Sequence, residues 1–366
     1  VFPREAIPAG QIVLRPPVES DAEDIAAGCS DPEIIRYIPT VPVPYTPDDA
    51  LTYIRTVVAE SWTHGGASFA IADAATDRWL GNIGLKPLNV HGSGEIGYLM
   101  APWGRGRGLT TAATRALTAW AFEHGLPRAE ILCNVENLAS QRVAMAAGYV
   151  REGVLRAAEA QRDGGRGDLV LFSRLPEDSG EPVRPFLPPF PDGGLSDGVV
   201  RLTPLTLADA DDYHALACQA EVVRFSVPPV PPPYEDTLHR CRHAGARWLA
   251  GERAEIIIRD EATGAFAGHI QLTNIVPPLG QAMIGYSVGR EYRGRGFAPR
   301  AVELLVGWAF AATSLARLIA GTAVENTASH RVLEKAGFTR EAVMRGLLPG
   351  LDGTRHDDIQ WVRMRP

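Results

Sequence analysis

The feature that most constrains this chain is that it repeats itself. Over 366 residues the first half returns in the second at a spacing of about 188 residues. "PEIIRYIPTVPVPY" answers "AEVVRFSVPPVPPPY", which sets Arg36 against Arg224. "WLGNIGL" answers "FAGHIQL", and "EIGYLM" answers "MIGYSV", with Tyr98 against Tyr286. "NVENLASQRVAMAAGY" answers "AVENTASHRVLEKAGF", which aligns Asn137 with Asn326 and Ser140 with Ser329. A period this long is a whole domain, not a solenoid unit, and the length suits two domains better than one. The expected division is a domain at 1–175, a linker at 176–198 and a domain at 199–366. Proline and glycine crowd the middle segment, so it is expected to run extended. Its Phe186, Leu187 and Phe190 leave docking on one domain as the other reading.

Within each half the signals alternate as in a mixed α/β fold. A short strand ("QIVLRP", "GVVRLTP") leads to an acidic helix start at Ser20 or Thr206. Three apolar strands follow, then a glycine-arginine loop and a long helix. In the second copy Val302, Leu305, Val306, Ala309 and Phe310 form one helical stripe. A strand, a helix opening near Asn137 or Asn326, and a closing strand pair complete each half. Those helices are expected to stop at Gly148 and Gly337.

Bulk properties exclude several classes. A formal net charge of −7 argues against a dedicated nucleic-acid binder. The four cysteines, Cys29, Cys133, Cys218 and Cys241, show no CxxC and no histidine spacing, so neither a metal site nor a disulfide framework is expected. No apolar run approaches a membrane span, and the first residues lack the order of a signal peptide. The expectation is a soluble cytoplasmic protein that binds neither nucleic acid nor membrane.

The loops "GRGRGLT" and "YRGRGFA" carry the chemistry. The first N–H groups of a helix have no internal partner, and the helix dipole makes that end attractive to anions. Glycines 106, 108, 294 and 296 allow a phosphate to approach the backbone. Arg105, Arg107, Arg293 and Arg295 offer guanidinium donors. Neither loop completes G-x-G-x-x-G or carries GK[ST], so a structural glycine turn stands beside the phosphate reading.

The order of motifs, a strand with Gly-Tyr, R-x-x-G-x-A, a helix, a strand, V-E-N-x-x-S, a helix and A-G-[FY], resembles the GNAT acetyltransferases. It is most similar to their RimJ/RimL branch, which acetylates protein N-termini, ribosomal proteins and small amines. The resemblance spans both halves. It implies two tandem domains, each a central, mostly antiparallel twisted sheet flanked by helices. It also implies acetyl-CoA or another acyl-CoA as cosubstrate and no metal. The pyrophosphate and pantetheine would lie on Leu99, Met100, Arg105, Gly106, Arg107, Gly108, Thr110 and Asn137 in the first half. In the second they would lie on Ser287, Val288, Arg293, Gly294, Arg295, Gly296, Phe297, Ala298 and Asn326. The second loop fits the family pattern throughout; in the first, Thr110 replaces the usual small residue.

Acyl transfer to an amine needs a proton acceptor, an oxyanion donor and a proton for the departing thiolate. The resemblance gives Glu95 and Glu159 as base candidates of the first half, and Ser140 and Ser329 as donors near the sulfur. Residue reading alone leaves Glu95 as a solvated strand carboxylate, and the serines as part of a cap made by Asn137 and Asn326. Met283 matches Glu95 and takes no proton, so a second-half base comes from Glu255, His269, Asp352, His356 or water. Arg36 and Arg224 are candidates for holding an acidic group of the acceptor. The expected activity is N-acetylation of a small-molecule or peptide amine, with one half or both working. An antibiotic-modifying or tailoring acyltransferase and a non-catalytic CoA-binding scaffold are the alternatives. By analogy the chain is a monomer with pseudo-dimeric halves, or a homodimer.

Overall fold

A computed structural model describes residues 2–366. Contacts divide the chain into two compact units, one ending at Arg184 and one comprising Pro185–Pro366.

The first unit has strands β1 (Ile7–Ala9), β2 (Ile12–Arg15), β3 (Ala67–Asp73), β4 (Trp79–Leu85), β5 (Gly94–Met100), β6 (Ala129–Asn134), β7 (Val150–Ala160) and β8 (Arg166–Arg174). Its helices are α1 (Ala22–Cys29), α2 (Pro32–Tyr37), α3 (Pro47–Thr52), α4 (Val58–Thr63), α5 (Leu109–Glu123) and α6 (Leu138–Ala146). The second unit has β9 (Leu195–Ser196), β10 (Val200–Pro204), β11 (Ala254–Asp260), β12 (Phe266–Val276), β13 (Gln281–Val288), β14 (Arg317–Ala323), β15 (Thr339–Pro349) and β16 (Arg355–Met364). Its helices are α7 (Ala210–Ala217), α8 (Ala220–Val223), α9 (Tyr234–Leu249), α10 (Phe297–Ala312) and α11 (Thr327–Lys335).

Each unit is built on one eight-stranded sheet, and the strand orders match: β1-β2-β3-β4-β5-β6-β8-β7 and β9-β10-β11-β12-β13-β14-β16-β15. All pairs are antiparallel except β5–β6 and β13–β14. This is the mixed sheet with flanking helices that the sequence implies, twice over.

The helix after each glycine loop packs by the stripe read from the sequence. Val302, Leu305, Val306 and Ala309 are buried against Ile256, Ile258, Ile270, Leu272 and Ile284. Strand alternation sends Met283, Gly285 and Ser287 to the opposite face. That face is covered in part by α7 and α9, whose Tyr213, Cys241 and Ala244 pack with Ile257.

Two local expectations change. Thr206 opens its helix as expected, its amide and hydroxyl both donating to Asp209. In the first unit Asp21, not Ser20, receives the Val18 amide at 2.9 Å, because Arg15 holds the Asp21 carboxylate in place at 2.8 Å. The segment 176–198 is also not extended throughout. Leu187 and Phe190 are buried in the second core, where Phe190 meets Trp248 and Trp308 edge-on at 5.0 and 4.9 Å. Phe2 stands against Trp120 at 5.1 Å, its ring tilted by 33° instead of edge-on. The "FP" at 190–191 is thus the return of "FP" at 2–3. Burial of an aromatic ring outweighs the stiffness of the neighbouring prolines.

The face opposite α10 carries a buried ionic cluster. Glu255 is 1% exposed and accepts from Arg240 at 2.8 and 3.0 Å, from His269 at 2.7 Å and from Arg253 at 3.3 Å. Burial works to raise the Glu255 pKa, but the His269 hydrogen bond and the Arg240 charge outweigh it and hold the carboxyl far below the usual range. Burial keeps His269 neutral by pushing its pKa down. Removing one partner from such a cluster leaves an uncompensated buried charge. Glu255→Gln is therefore expected to destabilise the second unit by about 3–5 kcal/mol. Since the folded pKa is depressed, the stabilisation exists above the unfolded value and is lost as pH falls toward the folded one. The melting gap between Glu255→Gln and the native chain should accordingly narrow below pH ~4.3. Thermal melts from pH 7 to 3 check both the size and the trend.

Candidate functional site

The site begins where two parallel strands stop pairing. β5 and β6 are matched only at Gly94–Ala129 and Glu95–Glu130. β13 and β14 are matched at Gln281–Arg317, Ala282–Leu318 and Met283–Ile319. Beyond those residues β5 follows β4, and β6 follows β8 along its whole length. One edge of β5, including the backbone of Leu99 and Met100, therefore borders a gap; Ser287 and Val288 border its counterpart. Backbone groups along such an edge want partners, and an amide-bearing ligand arm supplies them.

A tyrosine spans each gap. The Tyr98 hydroxyl lies 3.0 Å from Ser140 Oγ and donates to the Ser140 carbonyl at 3.1 Å. The Tyr286 hydroxyl donates to the Ser329 carbonyl at 3.3 Å. Asn137 and Asn326 cap α6 and α11, accepting from the Ser140 and Ser329 amides at 3.0 and 3.2 Å. The capping reading of these asparagines is thus what the geometry shows, and the caps do not use the serine hydroxyls, of which Ser140 Oγ meets Tyr98 instead. Burial raises the pKa of both tyrosines, so each keeps its proton at neutral pH. Cys133, beside Ser140, is a buried thiol whose pKa burial pushes up to about 12. In the sequence the repeated "GY" aligns these two tyrosines, and their part in tying the gap comes from the fold.

The strands then run into the glycine loops. Gly106, Gly108, Gly294 and Gly296 have φ of +75°, +72°, +72° and +82°, the left-handed region that side chains with a Cβ resist. Gly108 and Gly296 stand directly before α5 and α10. A methyl added at Gly106, Gly108 or Gly294 would meet nothing within 4 Å, so the space before each loop is open. The first helical bonds are Ala112 to Gly108 at 3.1 Å and Arg300 to Gly296 at 3.4 Å. The amides of Leu109, Thr110 and Thr111 precede the first of these, and those of Phe297 and Ala298 the second, where Pro299 has no N–H. A negatively charged group fits this arrangement, with one donor more in the first half.

The loop arginines are held by the protein itself. Arg105 donates to the Met100 carbonyl at 3.1 Å and to Asp31 at 2.5 Å. Arg293 repeats this with the Val288 carbonyl at 3.0 Å and Gln219 at 3.2 Å. Arg107 lies 3.8 Å from Asp73 and Arg295 3.8 Å from Asp260, while Arg295 also stacks on Tyr292 and Phe297. These guanidinium groups brace the strand ends and the loop. The donors turned to open space are backbone amides.

In the first unit the loop and the gap share one cavity of about 1320 Å³. It brings together Glu95, Leu99, Met100, Arg105, Gly106, Gly108, Thr110, Asn137, Ser140 and Glu159, while Arg107 is not on its wall. Glu95 lies on the face of β5 opposite Tyr98, and both line the cavity. Its carboxylate pairs with Lys86 at 2.6 Å, and Glu159 accepts from Asn134 at 2.9 Å. Tyr53, Ser68, Asn82 and Gly84 line the cavity on the Glu95 side. Arg36 is bound to Glu136 at 2.7 Å, which occupies the group expected to meet an acidic acceptor. Arg224 stacks on Phe225.

Of the second-half base candidates, Glu255 and His269 are locked together in the ionic cluster, their lone pairs taken up by Arg240 and by each other. Asp352 accepts from Thr354 in the exposed β15–β16 turn, and His356 lies 3.3 Å from the Thr354 hydroxyl. Among the described residues no helix is long and apolar enough to cross a membrane.

The sequence matches the family model "Acetyltransferase (GNAT) domain" twice, at residues 11–150 and 200–339. It is 34% identical over 93 residues to uncharacterized N-acetyltransferase p20 of Bacillus licheniformis, across 25% of this chain and 51% of that protein. To the ribosomal-protein-serine acetyltransferase of Escherichia coli K12 it is 35% identical over 92 residues, across 25% of this chain and 50% of that one. The chain thus spans about half the length of these curated relatives. Among solved structures, Mycobacterium smegmatis RimJ in complex with CoA-disulfide is similar at 25% identity and a TM-score of 0.42, across 47% of this chain and 86% of that one. Two family matches that cover most of the chain, on two copies of one sheet with a parted parallel pair, make this protein a member of the GNAT acetyltransferase family with two domains in tandem.

Proposed function

We propose that the protein transfers an acetyl group from acetyl-CoA to a primary amine of a small molecule or peptide, and that the N-terminal half does so on Glu95. The observation that carries this is the cavity in which the open helix entrance at Gly106–Thr110, the Tyr98–Ser140 hydroxyl pair and Glu95 meet. The diphosphate sits before α5 on the backbone amides, and the pantetheine arm follows the free edge at Leu99 and Met100. That route delivers the thioester carbonyl into the gap, with hydroxyls on one side and a carboxylate on the other.

An alkylamine has a pKa near 10.4 and is charged at neutral pH, whereas a peptide α-amine, near 7.8, is about a tenth neutral. Glu95 accepts the ammonium proton, and the Lys86 ammonium 2.6 Å away orients the carboxylate. The Ser140 hydroxyl, backed by the protonated Tyr98, supplies a proton to the thiolate as the C–S bond breaks. Similarity to a ribosomal-protein-serine acetyltransferase favours a peptide amine among the acceptors.

Calorimetric titration with acetyl-CoA should show two binding events on the intact chain. Gly108→Trp and Gly296→Trp should each lose one of them, because the ring fills the open space before a loop. Unchanged stoichiometry in both variants would contradict the loop assignment. Glu95→Gln should lower the turnover of the N-terminal half by about 10²–10⁴ with acetyl-CoA affinity unaltered. Steady-state rates in a Gly296→Trp background, compared with calorimetric affinities, separate that outcome from a loss of binding.

A further inference from the structure

The C-terminal half has the left-handed glycines, the parted strands and the tyrosine on its serine carbonyl, yet Met283 stands where the first half has Glu95. We propose that Asp358 is the general base of the C-terminal half, an assignment that rests on the acetyltransferase reading above.

Asp358 lies on β16 opposite Ala323, and Gly321 lies opposite Gln360. Alternation and the Met283–Ile319 pairing put Met283, Ile319, Gly321 and Asp358 on one face of the sheet, the face that bears Glu95 in the first half. A methyl built on Gly321 would meet Asp358 Oδ2 at 2.8 Å and Met283 Cε at 3.1 Å. Carboxylate and thioether methyl therefore close over the same bare α-carbon, beside the point where β13 and β14 part. In the first half the two matching positions are Leu132 and Leu169. The carboxylate absent from β13 is supplied from β16, and glycine on the strand between them makes the room.

The surroundings leave this carboxylate available. Asp358 is 5% exposed, and among the described residues its side chain accepts no hydrogen bond and pairs with no cation. Charged groups on the same face have other partners. Arg317 binds Glu341, which also accepts from Gln360, and His356 turns to Thr354. Arg253 and Arg240 belong to Glu255, and on the other face of β16 Asp357 receives the Gly346 amide. From β13 and β14 the neighbours are the uncharged Met283 and Gly321. Burial alone pushes the Asp358 pKa up to about 6. A buried carboxylate with no partner costs stability, and such groups gather where a base is needed.

The proton balance is direct. Of the three protons on the acceptor ammonium, one passes to Asp358 and then to solvent. As nitrogen bonds to the acetyl carbon and the C–S bond breaks, a second ends on the thiolate, and the third stays on the amide.

The test uses the full chain with Gly108→Trp, which leaves the second loop as the route for acetyl-CoA. CoA release is followed with a panel of diamines, amino-acid esters and short peptides with free N-termini. Turnover should persist with an acidic limb near pH 6, and adding Asp358→Asn should cut it by about 10²–10⁴ while acetyl-CoA still binds. Asp358→Leu, which copies the first half, should do the same and guards against misfolding of the amide variant. Equal turnover with and without Asp358, or no turnover in the Gly108→Trp chain when the native chain is active, overturns the assignment alone. A native chain that releases no CoA with any amine of the panel overturns the acetyltransferase reading, and this one with it.

Discussion

The structure depends on a parallel strand pair that cannot stay paired. In each half one strand is committed to its antiparallel neighbour on one side, and the next is committed on the other. Two or three matched residues are all that the parallel contact retains. The sheet therefore opens at its middle, and the opening is tied across by a tyrosine hydroxyl on the first turn of a helix. A left-handed glycine then turns the chain into a second helix whose first amides face open space. An extended edge, a hydroxyl pair and a helix entrance in one line are what an acyl-CoA arm needs, and no side-chain cation has to supply the charge.

Duplication has kept this frame and changed what stands on it. Ser68, Asn82 and Gly84 line the cavity on the Glu95 side of the first half. The residues in the same register of the second are Glu255, His269 and Gln271, drawn together by Arg240. The carboxylate near the gap differs as well, Glu95 paired with Lys86 in the first half and Asp358 beside Met283 and Gly321 in the second. The two halves therefore share the parted strands, the tyrosine tie and the glycine loop, and differ in the side chains on the opposite face of the sheet.

Much of this was legible in the sequence, because it rests on local pattern. The repeat, the glycine loops, the apolar stripe of α10, and Asn137 and Asn326 three residues before their serines all follow from spacing alone. What spacing does not carry is the partner of a charge. Arg105 stands in its loop motif with no sign of Asp31, far away in sequence, to which it donates. Glu255 reads as a base until Arg240, Arg253 and His269 close around it from three other places in the chain. Asp358 has no motif at all; its situation arises from a glycine on one strand and a methionine on another. The proline-rich middle misleads for a different reason, since composition there hides the return of Phe2 as Phe190.

The position of bound coenzyme A is the most direct test of this arrangement. In crystals of the full chain grown with it, the diphosphate should sit within hydrogen-bond reach of the amides of Gly106–Thr110, and the pantetheine should pass between β5 and β6 toward Tyr98 and Ser140. Density for the ligand on any other surface, with the gap between those strands closed or filled by side chains, would contradict it.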